Sequence, residues 1–163
     1  MNKILFTFCT CIIFNVTSQE YWQQEVNYTI NVSLDDESHF LRGFEEFEYV
    51  NNSHESLDSI MMHIWPNAYR DKNSALAKQL YRQGNNILMN PEVDITGYID
   101  SLDFKVNGVK INWNYEAYNM DICILHLPYS LKSGERISIS TPFKVKIPSG
   151  EVSRLGHIGQ SYQ

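Results

Sequence analysis

Residues 53–58, SHESLD, begin like the zinc-binding helix of a metallopeptidase. In H-E-x-x-H, two imidazoles one helical turn apart hold the metal and the glutamate between them polarises the bound water. His54 and Glu55 open that pattern, but Asp58 stands where the second imidazole belongs. The setting also fails. Residues 51–56, NNSHES, are small and polar, the composition of a connecting loop. Only on a helix do side chains four apart point the same way. The spacing predicts a solvated loop and no zinc centre.

The other reactive side chains are dispersed. Histidines stand at 39, 54, 63, 126 and 157, in separate segments without ligand spacing. His63, between Met62 and Trp65, is expected to be partly buried and hydrogen-bonded. Cys123 lies in DICILHLP, where it shares one strand face with Leu125 and Leu127, and is expected to be a small core residue. The acidic groups at 35–37 and 45–46 are expected on solvated surface: the first forms a turn, and alternation along a strand sends the second pair to opposite faces. There is no G-x-S-x-G elbow, phosphate loop, G-x-G-x-x-G or clustered Cys/His set. No catalytic, cofactor-binding or metal-ligating residue is assigned to this chain.

The elements around these residues are mostly strands. With 163 residues, 43% of them hydrophobic, the chain has the material for one domain with a packed core. An aromatic share of 13% suits pleated, half-buried surfaces. In VNYTINVSL, Val26, Tyr28, Ile30, Val32 and Leu34 alternate with polar residues, which predicts one face on the core and the other in water. The turn DDES leads to HFLRGFEEFEYVNN, where the aromatic parity changes between Phe44 and Phe47, and Gly43 is expected to mark a bulge that swaps the inward face. These two runs predict an antiparallel pair. A third strand, DSIMMHIWPNAY, is stopped by Pro66, with Ile60, Met62 and Ile64 on one face. SALAKQLYRQG predicts one short helix, capped by Asn73 or Ser74 and closed by Gly84.

YIDSLDFKV and VKINW flank Asn107-Gly108, a strong hairpin signal because both residues tolerate positive φ. DICILHLP and RISISTPFKVKIP follow, joined by YSLKSGE with Gly134 at the tip, and GQSYQ adds a further strand. Seven or so strands in one uninterrupted domain predict an all-β fold: a saddle-like sandwich of mostly antiparallel strands with one short helix.

Residues 1–18 stand apart. Lys3, the apolar run ILFTFCTCIIF, and small residues at Val16 and Ser18 predict a cleaved export signal too short to span a bilayer comfortably. Cys9 and Cys11 lack the box a lipoprotein needs. Cleavage leaves Cys123 as the sole cysteine of residues 19–163, so no internal disulfide can form there. The whole chain has 13 basic and 19 acidic residues, net −6; loss of Lys3 gives 12 against 19, or −7. That balance, without a basic run, excludes phosphate-driven nucleic-acid binding and disfavours anionic membrane surfaces.

The order of segments carries a resemblance. LRGFEEFEYVNNSHESLDSIMMHIWPNAY, GYIDSLDFKVNG, LPYSLKSGERISISTPFKVKIP and SRLGHIGQSYQ together resemble the amino-terminal β domain of aminopeptidase N-like zinc metallopeptidases, especially exported bacterial members, over nearly all of residues 26–163. The resemblance implies a saddle-like domain at 19–163 that sits against a thermolysin-like catalytic domain and helps wall its active site. The family's zinc ligands, substrate loop and catalytic tyrosine belong to that catalytic domain, expected after Gln163, so the zinc is expected there and none in this chain. Gln160 and Gln163 stand near the place where the family's amino-terminal domain supplies a substrate-amine contact, and neither is carried over as a functional residue. The expected partners are the downstream catalytic domain and peptide substrates, with no membrane insertion after signal cleavage. The chain looks truncated, is expected to be inactive alone, and should aggregate more readily than in its parent. The alternative is a free-standing secreted β-sandwich that binds glycans or protein through Trp65, Trp113, Tyr115 and Tyr118.

Overall fold

A computed structural model describes residues 21–90, 95–154, 156–159 and 161–162. The expected leader, Gln160 and Gln163 lie outside the described residues. The strands are β1 (Glu25–Asp35), β2 (Phe40–Val50), β3 (Leu57–His63), β4 (Tyr98–Asp100), β5 (Lys105–Val106), β6 (Val109–Lys110), β7 (Trp113–Tyr115), β8 (Ile122–Leu131), β9 (Arg136–Lys146), β10 (His157–Ile158) and β11 (Ser161–Tyr162). They outnumber the seven or so expected because the chain makes several two- and three-residue pairings too short to leave a periodic signal.

The larger sheet runs β1-β2-β9-β5-β6, with β4 also paired to β9; a second sheet runs β3-β8-β7, and β10 pairs with β11. All these ladders are antiparallel. Phe47, Ile137 and Ile139 of the larger sheet meet Ile60, Cys123 and Leu125 of the second in one core, filled further by Phe104, Val106, Ile111 and Leu131. The fold is the expected all-β sandwich.

The helix also forms as expected. α1 spans Ala75–Arg82, the Ser74 side chain accepts the Ala77 N–H at 3.0 Å, and Gly84 adopts φ +83° beyond the end. The Asn107-Gly108 turn has φ of 48° and 81°, the positive pair a tight hairpin requires. Cys123 is fully buried, as its strand face predicted.

Four local expectations are corrected. Gly43 marks no bulge: β2 pairs without a slip through Gly43 to Val32 on one side and to Phe143 on the other. The inward parity is therefore Leu41, Gly43, Glu45, Phe47 and Tyr49 throughout, and Phe40 and Phe44 point outward. YIDSLDFKV is not one strand. It breaks at Ser101, φ 62°, and β4 and β5 pair with different stretches of β9, which leaves a gap at Thr141–Phe143. The Thr141 hydroxyl oxygen accepts the Asp103 N–H at 2.9 Å there, and Pro142, which lacks a donor of its own, falls within the gap. VKINW is likewise divided, with β6 in the larger sheet and β7 in the second. The third strand ends at His63, and Trp65–Tyr69 turns into a 3-10 helix around Pro66.

Candidate interaction surface

The near-motif is a loop. Residues 53–55 are bends, Asp58 belongs to β3, and the Ser130 hydroxyl donates to the Asp58 carboxylate. Asn51 builds this loop from beneath. It is fully buried, its Nδ2 donates to the carbonyls of Glu55 (2.8 Å) and Leu131 (2.9 Å), and its Oδ1 accepts from Ser53 N (3.0 Å), Ser53 Oγ (2.6 Å) and Gln24 Nε2 (3.2 Å). Every donor and acceptor of the amide is used, so the polar core of this loop is structural.

His63 has the expected structural pairing. Its Nε2 donates to Asp121 Oδ2 at 2.8 Å, since a carboxylate can only accept, and its ring meets Trp65 edge-on at 4.6 Å. Asp121 is buried and its Oδ1 has no partner among the described residues. His126 Nε2 lies 2.6 Å from Asn114 Oδ1.

Two of the dispersed histidines do converge. His39, in the β1–β2 turn at φ 58°, stacks on His157 with ring centroids 3.7 Å apart, and its Nδ1 lies 2.9 Å from Tyr162 Oη. Sequence spacing gave no sign of this pair, because more than a hundred residues separate its members. Among the described residues no group of three or more His, Cys, Asp or Glu side chains is placed to hold a metal.

Of the aromatic residues of the alternative reading, Trp113 and Tyr115 are in ring contact with each other. Trp113 packs against Phe104 in the core and stands perpendicular to Tyr115, while Tyr118 is 85% exposed on a separate loop and Trp65 lies beside His63.

The inward face of β1 is an apolar surface left partly uncovered. Tyr28, Ile30, Val32 and Leu34 alternate as expected, yet they are 53%, 53%, 55% and 48% exposed. The second sheet covers only part of the larger one. A cleft of about 230 Å³ between β3 and the β1–β2 pair, lined by Val26, Tyr28, Phe47, Tyr49, Ile60, Met61, Met62 and His63, marks where that cover stops. Beyond it the apolar stripe continues uncovered along an edge strand whose outer side pairs with no described strand.

Glu45 lies within this face, between Ile30 of β1 and Thr141 of β9. It is not the solvated residue the sequence suggested. Burial pushes its carboxyl above the usual range, and the same burial, with the Glu45 charge, pushes the Tyr28 hydroxyl up. Its neighbour Glu46 faces outward and accepts from the Ser138 hydroxyl at 2.7 Å. The missed signal was parity: once Gly43 is in register, Glu45 is the one acidic residue in the row Leu41, Gly43, Glu45, Phe47, Tyr49.

No family model matches the chain, and no curated protein matches it.

Proposed function

We propose that this chain is the non-catalytic amino-terminal β domain of an exported zinc metallo-aminopeptidase, and that it packs its uncovered sheet face against a downstream catalytic domain whose active site it helps to wall. The observation that carries this reading is the half-exposed apolar row Tyr28, Ile30, Val32 and Leu34 on the same side of the sheet as the core. Covering those side chains stabilises an assembly by about 1 kcal/mol each at ~25 cal/mol per Å². Soluble domains seldom leave so continuous an apolar stripe to water. The family assignment draws on the order of segments set out above, and the role draws on the face.

The domain's own polar groups serve its structure: the Asn51 amide builds the loop that mimics a zinc motif, and the His63 imidazole is bound to Asp121. The zinc and its ligands belong to the catalytic domain in this reading, and the chain supplies a wall. Its expected location is outside the cytoplasm, by way of the leader.

Two measurements test it together. Coding sequence that continues past residue 163 into an HExxH helix is the expected result, and a stop codon followed by unrelated sequence overturns the assignment. The purified chain, supplied with zinc and aminoacyl-arylamide substrates, is expected to release no product; zinc-dependent release overturns the non-catalytic role.

A further inference from the structure

The inward positions of β1, β2 and β9 carry a single charged side chain, Glu45, and no basic one. Arg42, Arg136, Lys144 and Lys146 all fall on the opposite parity and point to the other face. Arg136 is held there by Glu48 at 3.0 Å, and Lys144 lies over the Phe40 ring at 4.0 Å. Among the described residues nothing hydrogen-bonds to Glu45 or forms an ion pair with it. An apolar surface with one unpaired carboxylate is incomplete in a specific way.

We infer that this face docks a protein patch of aliphatic or aromatic side chains that sets one lysine or arginine side chain against Glu45. The inference rests on the reading of the face as a docking surface and adds the chemistry of what covers it. A purely apolar cover would strip water from the carboxylate without replacing its hydration, which opposes docking unless the group takes up a proton. A cation restores the interaction and fixes the register of the two surfaces.

A second copy fits poorly. Face-to-face pairing about a two-fold axis would bring two Glu45 carboxylates into one apolar interface. Edge-to-edge pairing of two β1 strands about Ile30 would set Glu25 across from Asp35 at both ends, and would leave both apolar faces uncovered on the same side. An anionic lipid surface is disfavoured by the chain's net charge of −6.

The test uses three eight-carbon probes that differ only in the head group: octylammonium, octanol and octanoate. Each is titrated into the purified chain at pH 7.5, with the methyl resonances of Ile30, Val32 and Leu34 as the readout. Octylammonium is expected to bind about fivefold more tightly than octanol, the factor an exposed to half-buried ion pair supplies, with octanoate weakest. Glu45→Gln is expected to abolish the difference between octylammonium and octanol while leaving octanol binding intact, which also shows that the variant is folded. Equal affinity for octylammonium and octanol in the native chain, or a preference that survives Glu45→Gln, overturns the inference and leaves the docking surface standing. No response of these methyls to any probe overturns both. Methyl shifts that depend on protein concentration without probe, together with a dimer in sedimentation, assign the face to a second copy and also overturn it.

Discussion

The ring of Phe143 lies over Gly43 so closely that a Cβ at Gly43 would fall 2.3 Å from Phe143 Cζ and 2.7 Å from the carbonyl oxygen of Asn31. The two residues face each other across the β2–β9 ladder, and the aromatic ring fills the volume that the missing side chain leaves. Gly43 is there for close approach.

Gly43→Ala is accordingly expected to destabilise the fold by about 2 kcal/mol, because both neighbours must shift inside a paired ladder. In a Phe143→Ala background the added methyl is expected to cost less, since only the Asn31 carbonyl remains in its way. Urea denaturation of the four proteins in this cycle reads the coupling. Additive costs would show that the ring does not depend on the glycine.

Asn51 offers a sharper test of the loop beneath His54. Asn51→Asp keeps the size of the side chain but replaces two N–H donors with an oxygen aimed at the carbonyls of Glu55 and Leu131. The expected loss is about 3 kcal/mol, the cost of unsatisfied buried polar groups plus a buried charge. Hydrogen exchange in the loop, residues 51–56, should rise with it. The exposed neighbour Asn52, whose Nδ2 donates to the Gln23 carbonyl at 3.0 Å, is expected to lose under about 1 kcal/mol as Asn52→Asp.

Much of this architecture was legible in local chemistry. Ser74 and Gly84 bracket α1, Asn107-Gly108 sets its hairpin, and strict alternation gives the limits of β1 to within a residue, because each signal depends on neighbours in sequence. Burial was less legible. Alternation in β1 fixes which side chains share a face, but whether a second sheet reaches that face depends on the reach of β3, β8 and β7. The same limit hid Glu45, whose partners Ile30 and Thr141 come from other strands, and the His39–His157 stack. The break at Ser101 arises because β9 serves two partners at different heights, a tertiary demand that overrides the pattern of the run.

Cys123 is expected to be inert while the chain is folded. Burial pushes its thiol up to about 11, so almost no thiolate exists at neutral pH, and the sulfur has no exposed surface. With the chain beginning at Gln19, an aromatic disulfide reagent at pH 8 should react with one thiol per molecule in urea and with none in buffer over the same minutes. Rapid labelling in buffer would place Cys123 outside the core. Cys123→Ser should cost about 1–3 kcal/mol through a hydroxyl buried against Ile60 and Leu125, and Cys123→Ala less.

Glu45 gives the face a pH signature with a sign opposite to that of Asp35, Asp103 and Glu116. Burial raises its carboxyl above the ordinary 4.5, so the folded chain holds this proton more tightly than the unfolded chain. Its contribution to stability therefore falls as pH rises from about the unfolded value through the folded one, and the penalty persists at neutral pH. Asp35, Asp103 and Glu116 behave the other way. A hydrogen bond from Ser38, a hydrogen bond from Lys110 and the Tyr118 N–H respectively hold them below their usual range, so what they contribute is present at neutral pH and fades in acid. Only the difference between native chain and Glu45→Gln isolates the buried group. Glu45→Gln is expected to be more stable by about 0.5 kcal/mol at pH 7.5, with solvent screening allowed for, and equal to the native chain at pH 3.5. An ammonium or guanidinium held against Glu45 stabilises the ionised form, so saturating octylammonium should shrink or reverse the gain at pH 7.5, whereas octanol, bound alike by both chains, should leave it unchanged. Urea denaturation with and without each probe reads this directly. A gain that ignores the head group would mean that the carboxylate lies apart from the surface on which the alkyl chain rests.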